Sequence, residues 1–143
     1  MSVVPKTIVL QGGGGKYEEG ILTGILKPGN LVALGDATLA LAGDASPTLI
    51  VATEDALQGK TIADAYAVGD KCFYYRPVSN DVLYVRAANA TYANGASLQA
   101  VALGRLGAVA AGPHVATAEA TDPETDGDQV VAVADDFLRV RVA

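Results

Sequence analysis

The residues with a capacity for chemistry are few and scattered. His114 is the only histidine and Cys72 the only cysteine. A metal site or general base at His114 requires a second histidine, a cysteine or a defined set of carboxylates. Its neighbours, Gly112-Pro113 and Val115-Ala116-Thr117, supply none, so it reads as a surface or rim histidine. Cys72 sits in the strand-like run Lys-Cys-Phe-Tyr-Tyr, where a buried inert thiol is expected, and alone it forms no internal disulfide. Serines and threonines are plentiful, but no Gly-x-Ser-x-Gly nucleophile elbow occurs. Asn89-Ala90-Thr91 matches a glycosylation sequon, which carries no meaning without secretion.

Two stretches imitate ligand sites. Gln11-Gly12-Gly13-Gly14-Gly15-Lys16 invites comparison with a phosphate-binding loop, in which backbone amides cradle phosphates and a hydroxyl holds magnesium. Counting back from Gly15 puts Leu10 where the first glycine belongs, and Tyr17 stands where Ser or Thr is required. A flexible joint is the expected role of these glycines. The acidic run from Glu119 to Asp128 places Asp122, Glu124 and Asp126 at positions 1, 3 and 5 of a calcium loop, with Gly127 at position 6. Position 12 is Val133, so the bidentate closing glutamate is missing, and a solvated acidic loop is expected. No metal, cofactor or catalytic residue is assigned. The aromatic side chains Tyr66, Phe73, Tyr74, Tyr75, Tyr84 and Tyr92 gather in the middle third, part core and part interaction surface.

Composition narrows the fold. The 143 residues fit one domain able to bury its own core without a staple. Valine, alanine and 16 glycines dominate, a poor mixture for helices because glycine costs a helix interior about 1 kcal/mol. The formal charge is −6 and the ten Lys and Arg are dispersed, so neither nucleic acid nor an anionic membrane is an expected partner. The first residues lack the pattern of a signal peptide, and no apolar run approaches the ~20 residues of a membrane helix.

Strand-length apolar runs alternate with turn signals from Gly20 onward. Ile21–Leu26 ends at Lys27-Pro28-Gly29-Asn30; further turns fall at Gly35-Asp36, Gly43-Asp44, Gly69-Asp70 and Asn94-Gly95. Thr53–Leu57 is suited to a single helical turn before Gly59. Cys72–Arg76 and Val82–Arg86 read as a hairpin, and Ala96–Leu103 suits either a helix or a strand. In the last strand Phe137, Val140 and Val142 oppose Arg139 and Arg141 with period two. About ten short strands with frequent turns predict an all-β single domain, a small barrel, β-tulip or sandwich with at most one or two short helices. Residues 1–19 are expected to form a glycine-rich N-terminal arm and residues 20–143 the β domain. Within the arm Val3, Val4, Thr7, Ile8, Val9 and Leu10 are apolar or β-prone without an evident partner, and so are the candidate binding residues.

From Ile21 onward the order of features resembles phage head decoration proteins, both the lambda-like trimeric kind and the related capsid-associated proteins with a β-tulip core. The resemblance rests on an early Gly20-Ile21-Leu22-Thr23-Gly24 strand and Val68-Gly69-Asp70-Lys71 entering a strand pair. A Gly104-Arg105-Leu106-Gly107 turn follows, then His114 to Asp122, an acidic loop and the closing Arg139-Val140-Arg141-Val142. The Phe73–Val85 hairpin with its Pro77-Val78-Ser79-Asn80 turn reads as an insertion against the family's shorter ones. The resemblance implies a non-enzymatic homotrimer without cofactors. It would be made in the host cytoplasm and seated on the virion's outer capsid surface, its arm reaching across junctions of the major capsid protein. The alternative is a β-rich carbohydrate or host-surface binding module of a virion using the tyrosine-rich hairpin.

Overall fold

The computed structural model describes residues 8–11, 14–35, 38–43, 49–55, 58–109, 114–119, 129–131 and 133–143. Its strands, in chain order, are β1 (Val9–Gln11), β2 (Lys16–Leu22), β3 (Val32–Leu34), β4 (Thr38–Leu41), β5 (Val51–Ala52), β6 (Lys71–Arg76), β7 (Val82–Arg86), β8 (Ala90–Tyr92), β9 (Ser97–Val101), β10 (Arg105–Ala108), β11 (Ala116–Ala118), β12 (Gln129–Val131) and β13 (Phe137–Val142). The fold is all-β, as the composition predicts. Ala96–Leu103, ambiguous in sequence, becomes β9 and the turn after it.

The strands form two curled sheets that each nearly close. One runs β1-β7-β13-β11-β9-β10. Its far strand returns to β7 through a parallel bridge between Ala87 and Leu106 and a hydrogen bond from Ala88 N to Leu106 O of 2.9 Å. Five strands thus make a ring, with β1 added outside it. The other sheet runs β3-β4-β2-β6-β5. It returns on itself through the Leu31–Val51 bridge, flanked by Val32 N to Ile50 O and Ala52 N to Asn30 O, both 2.9 Å. Closure removes unpaired edges, which is how small all-β proteins avoid sticking to one another. A short β8–β12 ribbon lies against β13, tied by the Gln129 side chain, which hydrogen-bonds both N and O of Arg139 at 2.9 Å.

Strand alternation divides the core. Val32, Ala52, Cys72 and Tyr74 point into the second ring with Leu22 and Leu39, while their neighbours Leu31, Val51 and Tyr75 point into the larger core of the first. The wall made by β5, β6 and the start of β3 is therefore shared, each successive residue serving the opposite side. In β13 the buried face is Leu138, Val140 and Val142. Phe137, grouped in sequence with Val140 and Val142, lies instead on the arginine side, as strict period two requires.

The expected β6–β7 hairpin does not exist. β6 pairs with β2 and β5, and β7 with β13 and β1, so the two belong to different sheets. Asp81 explains the redirection: its buried carboxylate accepts from Val78 N at 3.1 Å and from the Tyr75 hydroxyl at 2.5 Å. The connection is thereby held against β6 while Val82 leaves for the other ring. Of the expected helical turn at 53–57, Ala56 and Leu57 lie outside the described residues; Asp55 accepts from Gln58 N and Lys60 N. The acidic run's 120–128 lies outside them as well.

The rings are joined through Arg86, only 7% exposed. Its Nε donates to Pro28 O at 2.8 Å, Nη2 to Ile62 O at 3.0 Å and Nη1 to Asp135 O at 2.8 Å, and the guanidinium carbon lies 4.3 Å from the Phe137 ring centre. Burial lowers its pKa, opposed by Asp135 and Asp136. The thirteen strands hold about half of the described residues, and helix almost none. Circular dichroism is expected to show a strand spectrum with at most about 15% helix, well under the average for globular domains; helix near that average would contradict this fold. Arg86→Ala leaves three carbonyls without donors and is expected to lower unfolding free energy by about 3 kcal/mol in urea titration. An unchanged midpoint would show that the guanidinium does not hold the rings together.

Candidate functional site

The edge of β7 carries the most distinctive arrangement. There β1 is added antiparallel, with Val9 opposite Leu83 and Gln11 opposite Val82, and the register shifts between them. Tyr84 N donates to Ile8 O at 2.9 Å. Ile8 is fully buried and belongs to the main core. Its slot is bounded by Gly29, where an added Cβ would stand 2.7 Å from Phe137 Cε1, 3.2 Å from Arg86 Cγ and 3.5 Å from Ile8 Cδ1. Gly29 has φ of +92°, so both backbone conformation and space demand glycine there. The Pro28-Gly29 turn seen in sequence is thus one wall of the seat.

Residues expected in a binding arm divide at this point. Val3, Val4 and Thr7 lie outside the described residues. Ile8 and Val9 are seated on β7, and Leu10 lies within β1. The boundary after residue 19 coincides with no edge of the structure, because β2 already begins at Lys16 and pairs with β6 along its length. The physical reason is visible at Gly15, read in sequence as part of a joint. A Cβ there would come within 2.0 Å of Arg76 O, and Gly15 N donates to the Tyr75 hydroxyl at 2.9 Å. That glycine permits close approach between β2 and β6.

Side chains of catalytic type serve the fold. Cys72 is fully buried, and burial pushes its thiol up to about 12, an inert setting. The hydroxyls of Tyr66, Tyr92 and Tyr74 donate to Thr53 O at 2.7 Å, Ala88 O at 2.6 Å and Glu18 Oε2 at 3.1 Å. Four of the six mid-chain aromatics are thus core residues, and the ring that stands out to solvent is Tyr17, 60% exposed and 4.7 Å from Tyr75, which no pattern in sequence singled out. His114 is exposed, 3.3 Å from Thr117 Oγ1, at the rim of a concavity of about 360 Å³ with Leu49, Arg76, Pro77 and Val142. A second concavity of about 410 Å³ is lined by Glu19, Ile21, Leu34, Lys71 and Tyr74. Lys71–Glu19 and Arg76–Glu18 ion pairs occupy its charges at 3.4 and 2.9 Å. Among the described residues no three His, Cys, Asp or Glu converge as metal ligands.

No known family model matches the chain, and no curated protein matches it.

The buried phenols and thiol define a pH response. Desolvation raises Tyr66, Tyr74, Tyr75 and Tyr92 above their ordinary 10.0 and Cys72 above its ordinary 9.0. In alkali the unfolded chain releases these protons while the folded chain keeps them, so the unfolded state binds fewer and stability falls as pH rises. Stability from this source is complete below about pH 9 and is lost above it. In alkaline titration most phenolate absorbance should appear together with loss of the strand signal. Phenolate formation with the fold intact would place these hydroxyls in solvent.

Proposed function

We propose that this protein is a structural component of a phage virion, binding the outer surface of the capsid as a homotrimer and stabilising the mature head against internal pressure. The observation that carries this reading is the way the N-terminal stretch engages a sheet. Ile8–Gln11 binds by strand addition with one apolar anchor, the mode in which an extended arm recognises another protein's edge. The motif order that resembles decoration proteins, and a body whose buried polar groups tie strands together, agree with it. Residues 1–7, which lie outside the described residues, precede this anchor in sequence. Contacts made only in the mature shell would stabilise that shell by mass action, and simultaneous seating of three arms would raise the effective affinity. The tyrosine platform of a sugar-binding module gains no support, since Tyr66, Tyr74, Tyr75 and Tyr92 are buried.

The test is co-sedimentation with expanded, undecorated capsids assembled from a phage major capsid protein, the proposed partner. Full-length protein should pellet with them at saturable stoichiometry. Deleting residues 2–7 should leave thermal melting unchanged and abolish pelleting. Deleting 2–11 should also lower the melting temperature, because it removes Ile8. Capsids that never bind the full-length chain, or bind the 2–7 deletion equally well, would refute the proposal.

A further inference from the structure

β1 is the terminal strand of its sheet, and β7 is its single neighbour there. We infer that the β7 edge is a strand-acceptor site shared between copies: Ile8–Gln11 fills it in its own chain, and fills it in an adjacent copy when chains are held close together. This deepens the proposed decoration role, resting on it only for the setting in which copies are crowded.

Three observations carry the inference. The seat is specific, because the slot beside Gly29, Arg86 and Phe137 takes an isoleucine-sized side chain and β7 supplies backbone pairing. The hold is short, since two registered pairs with an irregularity between them and the Ile8–Tyr84 bond attach the strand. The link between β1 and β2 is short: Gly12 and Gly13 lie outside the described residues, and the chain is held again at Gly15, whose N donates to the Tyr75 hydroxyl. Contacts made in cis and in trans are therefore identical, and proximity decides between them. A strand joined to its own domain by a link of a few residues meets its site at about millimolar effective concentration. Copies spaced on a lattice compete with that value, and head-to-tail donation gives a ring of copies where the rotation between them closes.

Single-cysteine variants test this directly, because Val9 and Leu83 are opposite partners. Val9→Cys and Leu83→Cys proteins are mixed and oxidised without capsids, while buried Cys72 stays unreactive. Disulfide-linked heterodimer should accumulate as the mixture approaches millimolar concentration, with the native strand spectrum retained. The double variant in dilute solution should close within one chain, which confirms that both substitutions fold. As an independent measurement, a chain lacking Gly12–Gly14 has a link shortened by up to about 10 Å and should sediment as an oligomer at micromolar concentration, with Ile8 still buried in a neighbour. Cross-linking confined to single chains at every concentration, with a hinge-deleted protein that stays monomeric, would overturn the proposal. Capsid binding plays no part in either readout, so its failure would leave this result standing, and the reverse also holds.

Discussion

A buried guanidinium that, among the described residues, forms no salt bridge with a carboxylate holds this molecule together. Arg86 gives its side-chain donors to the carbonyls of Pro28, Ile62 and Asp135, and lays its plane over Phe137. An arginine is suited to this because its donors leave a rigid plane in fixed directions, reaching several carbonyls at once where a lysine offers one point charge. Desolvating a cation is costly, and three acceptors plus an aromatic face are what offset it here. The acceptors come from different parts of the chain. Pro28 and Ile62 belong to segments around the second ring, whereas Asp135 leads into β13 of the first. Asp135 is itself committed, paired with Arg105 at 2.7 Å and held at φ +76°.

The Pro28–Leu31 segment depends on that guanidinium and transmits its position. Gly29 O accepts from Arg86 N at 2.9 Å, and Gly29 N donates to Ala52 O at 2.8 Å. Leu31 N donates to Gly104 O at 2.7 Å, while the Asn30 side chain accepts from Lys27 N at 2.9 Å. Gly104 in turn approaches Leu31 so closely that an added Cβ would lie 2.7 Å from its carbonyl oxygen. One turn thus touches β5, β7 and the β9–β10 connection, and the slot for Ile8 is a by-product of its geometry.

Local patterns were legible and long-range closures were not. The Arg139-Val140-Arg141-Val142 alternation declared β13, and Pro28-Gly29 and Asn94-Gly95 declared turns, because each signal is contained in a few neighbouring residues. Gly29 and Gly95 do take positive φ. The hairpin assigned to Cys72–Arg86 failed because adjacency in sequence is only a prior for pairing; the decisive group was Asp81, whose effect depends on Tyr75 facing it. Bridges such as Ala87–Leu106 and Leu31–Val51 join residues about twenty apart through ring closure, which no periodicity records. Arg86 was hidden for a related reason. A charged residue at the end of a strand looks solvent-facing until the turn that covers it is placed. Of the six candidate arm residues, Ile8 showed only its apolar character in sequence, and its depth of burial required Gly29 and Phe137 to be assembled around it.

Ring closure also limits where the first sheet offers an edge to another strand. Among the described residues of the first sheet, β13, β11 and β9 have neighbours on both sides, β10 returns to β7, and the first part of β7 is left for another strand. β1 fills that gap with three residues, fewer than the five or six of a typical strand. A longer, better-registered strand would bind its own domain too firmly to exchange, and no strand at all would leave β7 exposed to indiscriminate pairing. The short β1 with a single deep anchor lies between these limits: it protects the edge in an isolated chain yet can be replaced by an equivalent strand. Its specificity comes from Ile8 and the glycine-walled slot, since backbone hydrogen bonds alone do not distinguish one extended segment from another.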